Sequence, residues 1–270
     1  MSYGRTSHRL SICLRTNGFS FSLIDSDNVL RILDDVEMDG IAEGRLTVLN
    51  GIKDCFASRG IDTFSLGKIQ LVVPTRVFAW VPAKLFDSQR CKQYLTLVAR
   101  PEAIEGISHI YNAAIDAYMV FSANAQILAA FKIALPGVDV HCQHSLLVNG
   151  TLLQRSASHP LMLLHVDEHR ADIEAFFSGK LMLSNSFAIN SGDEALYYAL
   201  DVMKRLHLET PDMELALCGN VDRSYFARCQ RYFPTVSLHT GLRVTHPDPA
   251  QPPVPTYRYP LLFSIDNPTI

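Results

Sequence analysis

Leu161–Cys218, reading LMLLHVDEHRADIEAFFSGKLMLSNSFAINSGDEALYYALDVMKRLHLETPDMELALC, is the stretch that decides the fold. Leu161–Asp167, Ala171–Phe177 and Lys180–Ile189 read as three strands parted by short turns. Ser191 followed three residues later by Glu194 forms a capping box, the signature of a helix start. Leu196, Ala199, Leu200, Met203 and Leu206 then recur at helical spacing, which predicts a helix over Asp193–Leu206 with Asp201 and Arg205 paired on its outer face. Met213–Cys218 closes the unit as a buried strand.

The same order occurs earlier in the chain. Leu10–Thr16, Gly18–Asp25 and Val29–Val36 read as strands, joined first by Asn17-Gly18, a strong hairpin signal, and then by Asp25-Ser26-Asp27-Asn28. Gly44–Arg59 carries the stripe Val48, Leu49, Ile52, Cys55 and Phe56, with Gly60 as its C-terminal cap. Lys68–Val73 is the matching buried strand. Beyond Pro74 the pattern loosens, with a strand expected over Arg76–Val81 and a helix over Ser88–Val98. Order returns with strand Ala117–Phe121, helix Ala125–Leu135, strand Val138–Cys142 and a helix over His144–Leu153. The second copy continues with a helix over Ser224–Tyr232 and a strand at Thr235–His239. These elements predict a first lobe over residues 1–157, with an inserted subdomain at about 75–118, and a second lobe over 158–244. A proline-rich arm follows over 245–270, its apolar end Tyr259–Ile265 suited to an edge strand.

Composition narrows the classes. With 270 residues, 48% of them hydrophobic and 19% charged, the chain can bury a substantial core. A formal charge of −3 and the lack of a long basic run argue against a nucleic-acid binder. Met1–Leu10 is polar and Ala117–Phe131 is too short to span a bilayer, so no secretory leader or transmembrane segment is read and the cytoplasm is the expected address. The six cysteines are dispersed through apolar segments, as core thiols are. His141-Cys142-Gln143-His144 brings three metal-ligand types together, but neighbours on a strand point to opposite faces, so no metal site is expected.

Three strands, a helix, a strand, a helix and a strand, given twice with an insertion in the first copy, resemble the actin-like ATPase fold of actin, sugar kinases and heat-shock chaperones. The resemblance implies the α/β class of a duplicated ribonuclease H-like domain: two similar lobes, each a mixed five-stranded sheet with flanking helices. Val73-Pro74 with its insert and Ala117–His144, then Asp167–Leu206, are similar to the pilus-assembly and cell-division actin homologues of bacteria. More narrowly, residues 8–240 resemble a bacterial family of unknown function with this fold.

The resemblance implies a nucleotide cleft whose phosphates are held by one hairpin turn from each copy, and whose adenosine meets a glycine pair after the second buried strand. The turns should offer Asp for Mg²⁺ or water and Gly, Ser or Thr for close backbone approach. Here the first turn is Arg15, Thr16, Asn17 and Gly18, without an Asp. The second is Asp167, Glu168, His169 and Arg170; Asp167 holds the acidic position, but no glycine or small hydroxyl follows it. The adenosine position, Gly219 and Asn220, has one glycine, and Asn220 is also a candidate cap for the helix that follows. His165 reads as a satisfied core or cleft histidine. No catalytic residue, metal or cofactor is assigned, and ATP hydrolysis is not supported. The expected function is a pseudo-ATPase scaffold or regulator with a protein partner, a homodimer being compatible with it. The alternative is a nucleotide-binding switch or phosphotransferase, using ATP with Mg²⁺ in an unconventional site around Asp167 and Gly219.

Overall fold

In the computed structural model, residues 8–15, 18–37, 45–154, 159–208, 212–247 and 254–264 are described. The first meander is β1 (Arg9–Arg15), β2 (Gly18–Ile24) and β3 (Leu30–Glu37), with Arg15 opposite Gly18 and Gly18 opposite Glu37. Thr16 and Asn17 lie outside the described residues. Gly18 has φ +147°, and a Cβ there would stand 1.9 Å from the Val36 carbonyl oxygen, so the hairpin requires glycine. α1 (Arg45–Ser58) ends at Gly60 (φ +67°), where the Gly60 and Ile61 amides donate to the carbonyls of Ala57 and Phe56. The chain then runs through β4 (Lys68–Val73), parallel to β1.

The insert is a three-stranded sheet of β5 (Phe78–Pro82), β6 (Gly106–Asn112) and β7 (Ala117–Ala123) in the order β5-β7-β6, with α2 (Cys91–Thr96) packed on it. The helix expected over Ser88–Val98 is shorter, because Asp87 accepts from the Gln89 amide and starts a 3₁₀ turn over Ser88–Arg90 before α2. Strand β6 was not legible: its Ile107 and Tyr111 are exposed beside His109, so its alternation does not separate apolar from polar faces. α3 (Ala125–Ala134), capped by Asn124, leads to β8 (Asp139–Cys142), parallel to β4.

The second copy follows with α4 (Gln143–Gln154), β9 (Leu161–Val166), β10 (Arg170–Phe177), β11 (Lys180–Ala188), α5 (Gly192–Arg205), β12 (Glu214–Gly219), α6 (Arg223–Cys229) and β13 (Thr235–Leu238). Its sheet order is β11-β10-β9-β12-β13, and that of the first is β3-β2-β1-β4-β8, the same topology position for position. Both sheets pair their first three strands antiparallel and add the last two in parallel. Two mixed five-stranded sheets with flanking helices make this an α/β fold.

The chain separates into two compact units. The first takes Met1–Tyr111, Asp116–Gln143 and Val244–Val254; the second takes Asn112–Ile115, His144–Arg243 and Pro255–Ile270. In the first, Leu10, Ile12, Phe19, Phe21 and Leu71 form a core with Ile52 and Phe56 of α1 and Phe131 of α3. Its rings meet edge to face, Phe19 with Phe131 at 5.7 Å and Phe21 with Phe56 at 5.4 Å. In the second, Met162, Leu164, Ile173, Leu215 and Leu217 pack under Leu196, Ala199 and Met203 of α5.

The capping box at α5 differs in its return arm. Ser191 Oγ accepts from the Glu194 amide, while Glu194 Oε2 accepts from the amide of Asn190 rather than of Ser191. Asp201 and Arg205 pair as expected, at 2.6 Å. The C-terminal segment forms no edge strand among its described residues. Thr256–Arg258 make a 3₁₀ turn, Leu261–Phe263 are buried, and Phe263 accepts from the Leu242 amide. Pro260 has no N–H to give a ladder. Among the described residues, no helix is long and apolar enough to cross a membrane.

Phe131 is 1% exposed, so Phe131→Ala should destabilise the first unit by about 3–5 kcal/mol. Trp80, the single tryptophan, belongs to that unit, and its fluorescence across a urea titration is the measurement.

Candidate functional site

Strands β9 and β12 run parallel, so both deliver their C-terminal residues to one edge of the second sheet, where α/β sheets place ligands. At that edge the Asn220 amide donates to the Val166 carbonyl at 2.6 Å. Gly219 takes φ +86°, and a Cβ there would fall 2.1 Å from the same oxygen, so the chain approaches β9 only through glycine. Asp167 is the next residue after Val166. Asp167, Gly219 and Asn220 are thereby brought together. Asn220 does not cap α6: Asp222 does, accepting from the Tyr225 amide at 2.6 Å.

The Asp167 turn is internally satisfied. Asp167 Oδ1 accepts from the Glu168 amide at 2.8 Å, and Oδ2 accepts from Arg170 Nη2 at 2.7 Å. The Asp167 amide donates to the Arg170 carbonyl at 2.7 Å. Glu168 and His169 point outward, their side chains 84% and 73% exposed. In the first copy, Arg15 pairs with Asp35 at 3.4 Å, and Ser20 Oγ donates to the same carboxylate. Arg15 and Gly18 belong to the first unit; Asp167, Glu168, His169, Gly219 and Asn220 belong to the second.

Beneath the second turn lies a cluster that the sequence reading left unassembled. Arg170, Asp172 and Glu174 occur at every second position of β10 and so share one face of the sheet. Asp172 is directly opposite Ser186 of β11 and His165 of β9, and His165 is opposite Cys218 of β12. α4 covers this row with His144. Asp172, Glu174 and His144 are fully buried and His165 is 5% exposed.

Asp172 uses both oxygens. Oδ1 accepts from Ser186 Oγ at 2.6 Å and faces His144 Nε2 at 3.7 Å; Oδ2 accepts from Arg170 Nε at 3.0 Å and contacts His165 Nδ1 at 3.0 Å. His144 Nδ1 is hydrogen-bonded to Glu174 Oε1, with Ser184 Oγ 3.4 Å from the same nitrogen.

Burial alone would raise the Asp172 carboxyl. The Arg170 charge, the His165 hydrogen bond and the charges of His144 and His165 outweigh it and hold the carboxyl well below the usual range. Glu174 lacks an arginine, and burial pushes its carboxyl up despite His144. The Cys218 thiol is driven well above its ordinary value by burial and then by the two carboxylates, which makes it an inert thiol.

Arg170 is thus shared between two carboxylates, Asp167 at the surface and Asp172 inside. Its guanidinium ties the Asp167 carboxylate of the turn to the buried Asp172. The turn amide of Glu168 is already spent on Asp167. His141, Cys142 and His144 diverge: Cys142 enters the first core, His141 pairs in register with Val72, and His144 meets Glu174. Among the described residues, no group of three or more His, Cys, Asp or Glu is arranged to hold a metal ion.

Two mixed five-stranded sheets of this order, with flanking helices, define the actin-like ATPase fold. A protein of that fold and unknown function from Bacteroides thetaiotaomicron VPI-5482 superposes with a TM-score of 0.73 at 21% identity, covering 87% of this chain and 91% of the other. A chain of the PilM–PilN type IV pilus biogenesis complex superposes with a TM-score of 0.59 at 10% identity, covering 96% and 97%. The protein belongs to the family described as protein of unknown function DUF3822, whose profile matches residues 4–236. No curated protein sequence matches it.

Arg170→Ala should leave Asp172 buried without its main counter-charge and cost about 3–5 kcal/mol of stability in the second unit. Two opposite pH slopes are also expected. The depressed Asp172 carboxyl contributes stability above the ordinary aspartate value of 3.8, lost as pH falls below it. The raised Glu174 carboxyl does the reverse, its contribution falling as pH rises above the ordinary value of 4.5. Glu174→Gln should remove the second slope and keep the first, as read from urea midpoints across a pH series.

Proposed function

We propose that this protein is a pseudo-ATPase of the actin-like fold, a scaffold or regulator that works through protein–protein interaction in the cytoplasm. The observation that carries this reading is the Asp167–Arg170–Asp172 chain of ion pairs, in which the residue at the family's acidic position is engaged by an arginine that also serves a buried carboxylate. Glu168 next to it adds exposed negative charge where a triphosphate would have to approach. The turn has neither the glycine nor the small hydroxyl that lets backbone amides close on a phosphate. The PilM–PilN complex supplies an analogy, a protein of the same fold in an assembly with another protein.

A nucleotide-binding switch is the second reading. It is favoured by the meeting of Asp167, Gly219 and Asn220 at the C-terminal edge of β9 and β12, the end of the sheet that hosts ligands in α/β folds.

Titration calorimetry and thermal shift with ATP, ADP and Mg²⁺ separate the two. The scaffold reading expects no heat and no shift at millimolar nucleotide, for the wild type and Asp167→Ala alike. Saturable binding that vanishes in Asp167→Ala would favour the switch. A partner that co-purifies stoichiometrically, with and without ATP, is the positive result expected for the scaffold.

A further inference from the structure

The doubled architecture supplies an internal control for one surface, the outer edge of each five-stranded sheet. β3 and β11 hold the same place; among the described residues each is ladder-paired on one side only, the outer side of β3 meeting an isolated bridge in which the Leu30 amide donates to the Thr245 carbonyl at 2.9 Å. Each also carries a bulge next to its hairpin turn: Arg31 is the extra residue between Leu30 and Ile32, and Met182 the extra residue between Leu181 and Leu183.

Their chemistry is opposite. β3 is guarded by Arg31, Asp34, Asp35 and Glu37, charges that discourage another strand from adding. β11 has Lys180 at its first position and no other charge, and no proline. Its bulged Met182 is 53% exposed, where Arg31 of β3 is tied to Asp25 at 2.6 Å. Beside β11, Phe187 stacks on Tyr198 of α5 at 4.4 Å, and Tyr197 next to it is 62% exposed.

We infer that the β11 edge is a self-association surface whose partner is a second copy of this chain, added antiparallel about Asn185. Past the bulge, Leu183–Ala188 run in unbroken register with β10, which leaves a regular edge whose Ser186 amide donates to Asn185 Oδ1 at 2.9 Å, a bond that an added strand would replace. A two-fold axis through Asn185 sets Asn185 against its counterpart, Ser184 against Ser186, and Leu183 against Phe187. The run therefore complements itself, amide on amide at the axis and apolar on apolar beyond it, while the Ser184 and Ser186 hydroxyls stay turned to His144 and Asp172. Lys180 falls beyond the end of the paired segment, so no like charges meet. The same operation on β3 about Asp34 would oppose two aspartates. The two sheets would join into one of ten strands, with the Tyr197 and Tyr198 faces of α5 flanking the axis.

This goes beyond the proposed function and does not depend on it: nucleotide calorimetry decides that reading, sedimentation this one. Analytical ultracentrifugation of the full chain should give twice the mass of one chain at high micromolar concentration, falling towards one chain on dilution. Hydrogen exchange at residues 183–188 should slow as the dimer forms. Asn185→Lys opposes two ammonium groups on the axis and should weaken association about tenfold or more, with an unchanged circular dichroism spectrum. Asn185→Ser should associate like the wild type. A wild type that stays monomeric throughout overturns the proposal and leaves the edge to a foreign strand. A dimer that is indifferent to Asn185→Lys, or whose β11 amides exchange as in the monomer, overturns it in favour of another surface.

Discussion

Arg170 of the second unit holds two carboxylates at once, and the character of that half rests on this sharing. Asp172 is buried at the centre of the sheet, where an ionised carboxylate is tolerable only if donors surround it. Ser186, His165 and Arg170 supply them from three strands, with His144 facing from α4. Because Arg170 reaches outward to Asp167 as well, the conformation of the surface turn is coupled to the interior. The ion pairing of Asp167 and the order of the polar face are two results of one placement.

The two halves show how one topology tolerates different interiors. In each, one face of the sheet is apolar and lies under two helices, and the other is lined by polar groups. In the first unit that face carries Ser11, Ser20, Ser22 and Gln70, all buried and uncharged. In the second it carries Asp172, Glu174 and His165. Hydroxyls and an amide need only hydrogen bonds; carboxylates need counter-charges, so the second half is the more sensitive to pH and to truncation of a partner.

Most of the fold was legible in the sequence because local signals agreed. Asn17-Gly18, the alternation in Leu10–Leu14, the helical stripe from Leu196 to Leu206 and the Ser191 start all point to the elements that form. Strand β6 escaped because Ile107 and Tyr111 face solvent and spoil its alternation. The second candidate turn was legible as a turn, but the charged cluster under it was not. Arg170, Asp172 and Glu174 at every second position normally signal a solvated strand face. Here α4 covers that face, and His144 is distant from β10 in sequence. Asp172 and Glu174 read in the sequence only as parts of the strand Ala171–Phe177. Only the pairing of three strands and a helix brings them together.

The extra residue in the third strand of each meander, Arg31 in one and Met182 in the other, follows six unbroken rungs counted from the start of the second strand in both. An insertion arising separately in each half would have had many rungs to choose from. Its recurrence at one rung makes the kink a property of the shared topology, and the choice of arginine or methionine a property of each half. What the halves inherited in common is backbone geometry; what they acquired apart is the chemistry displayed on it.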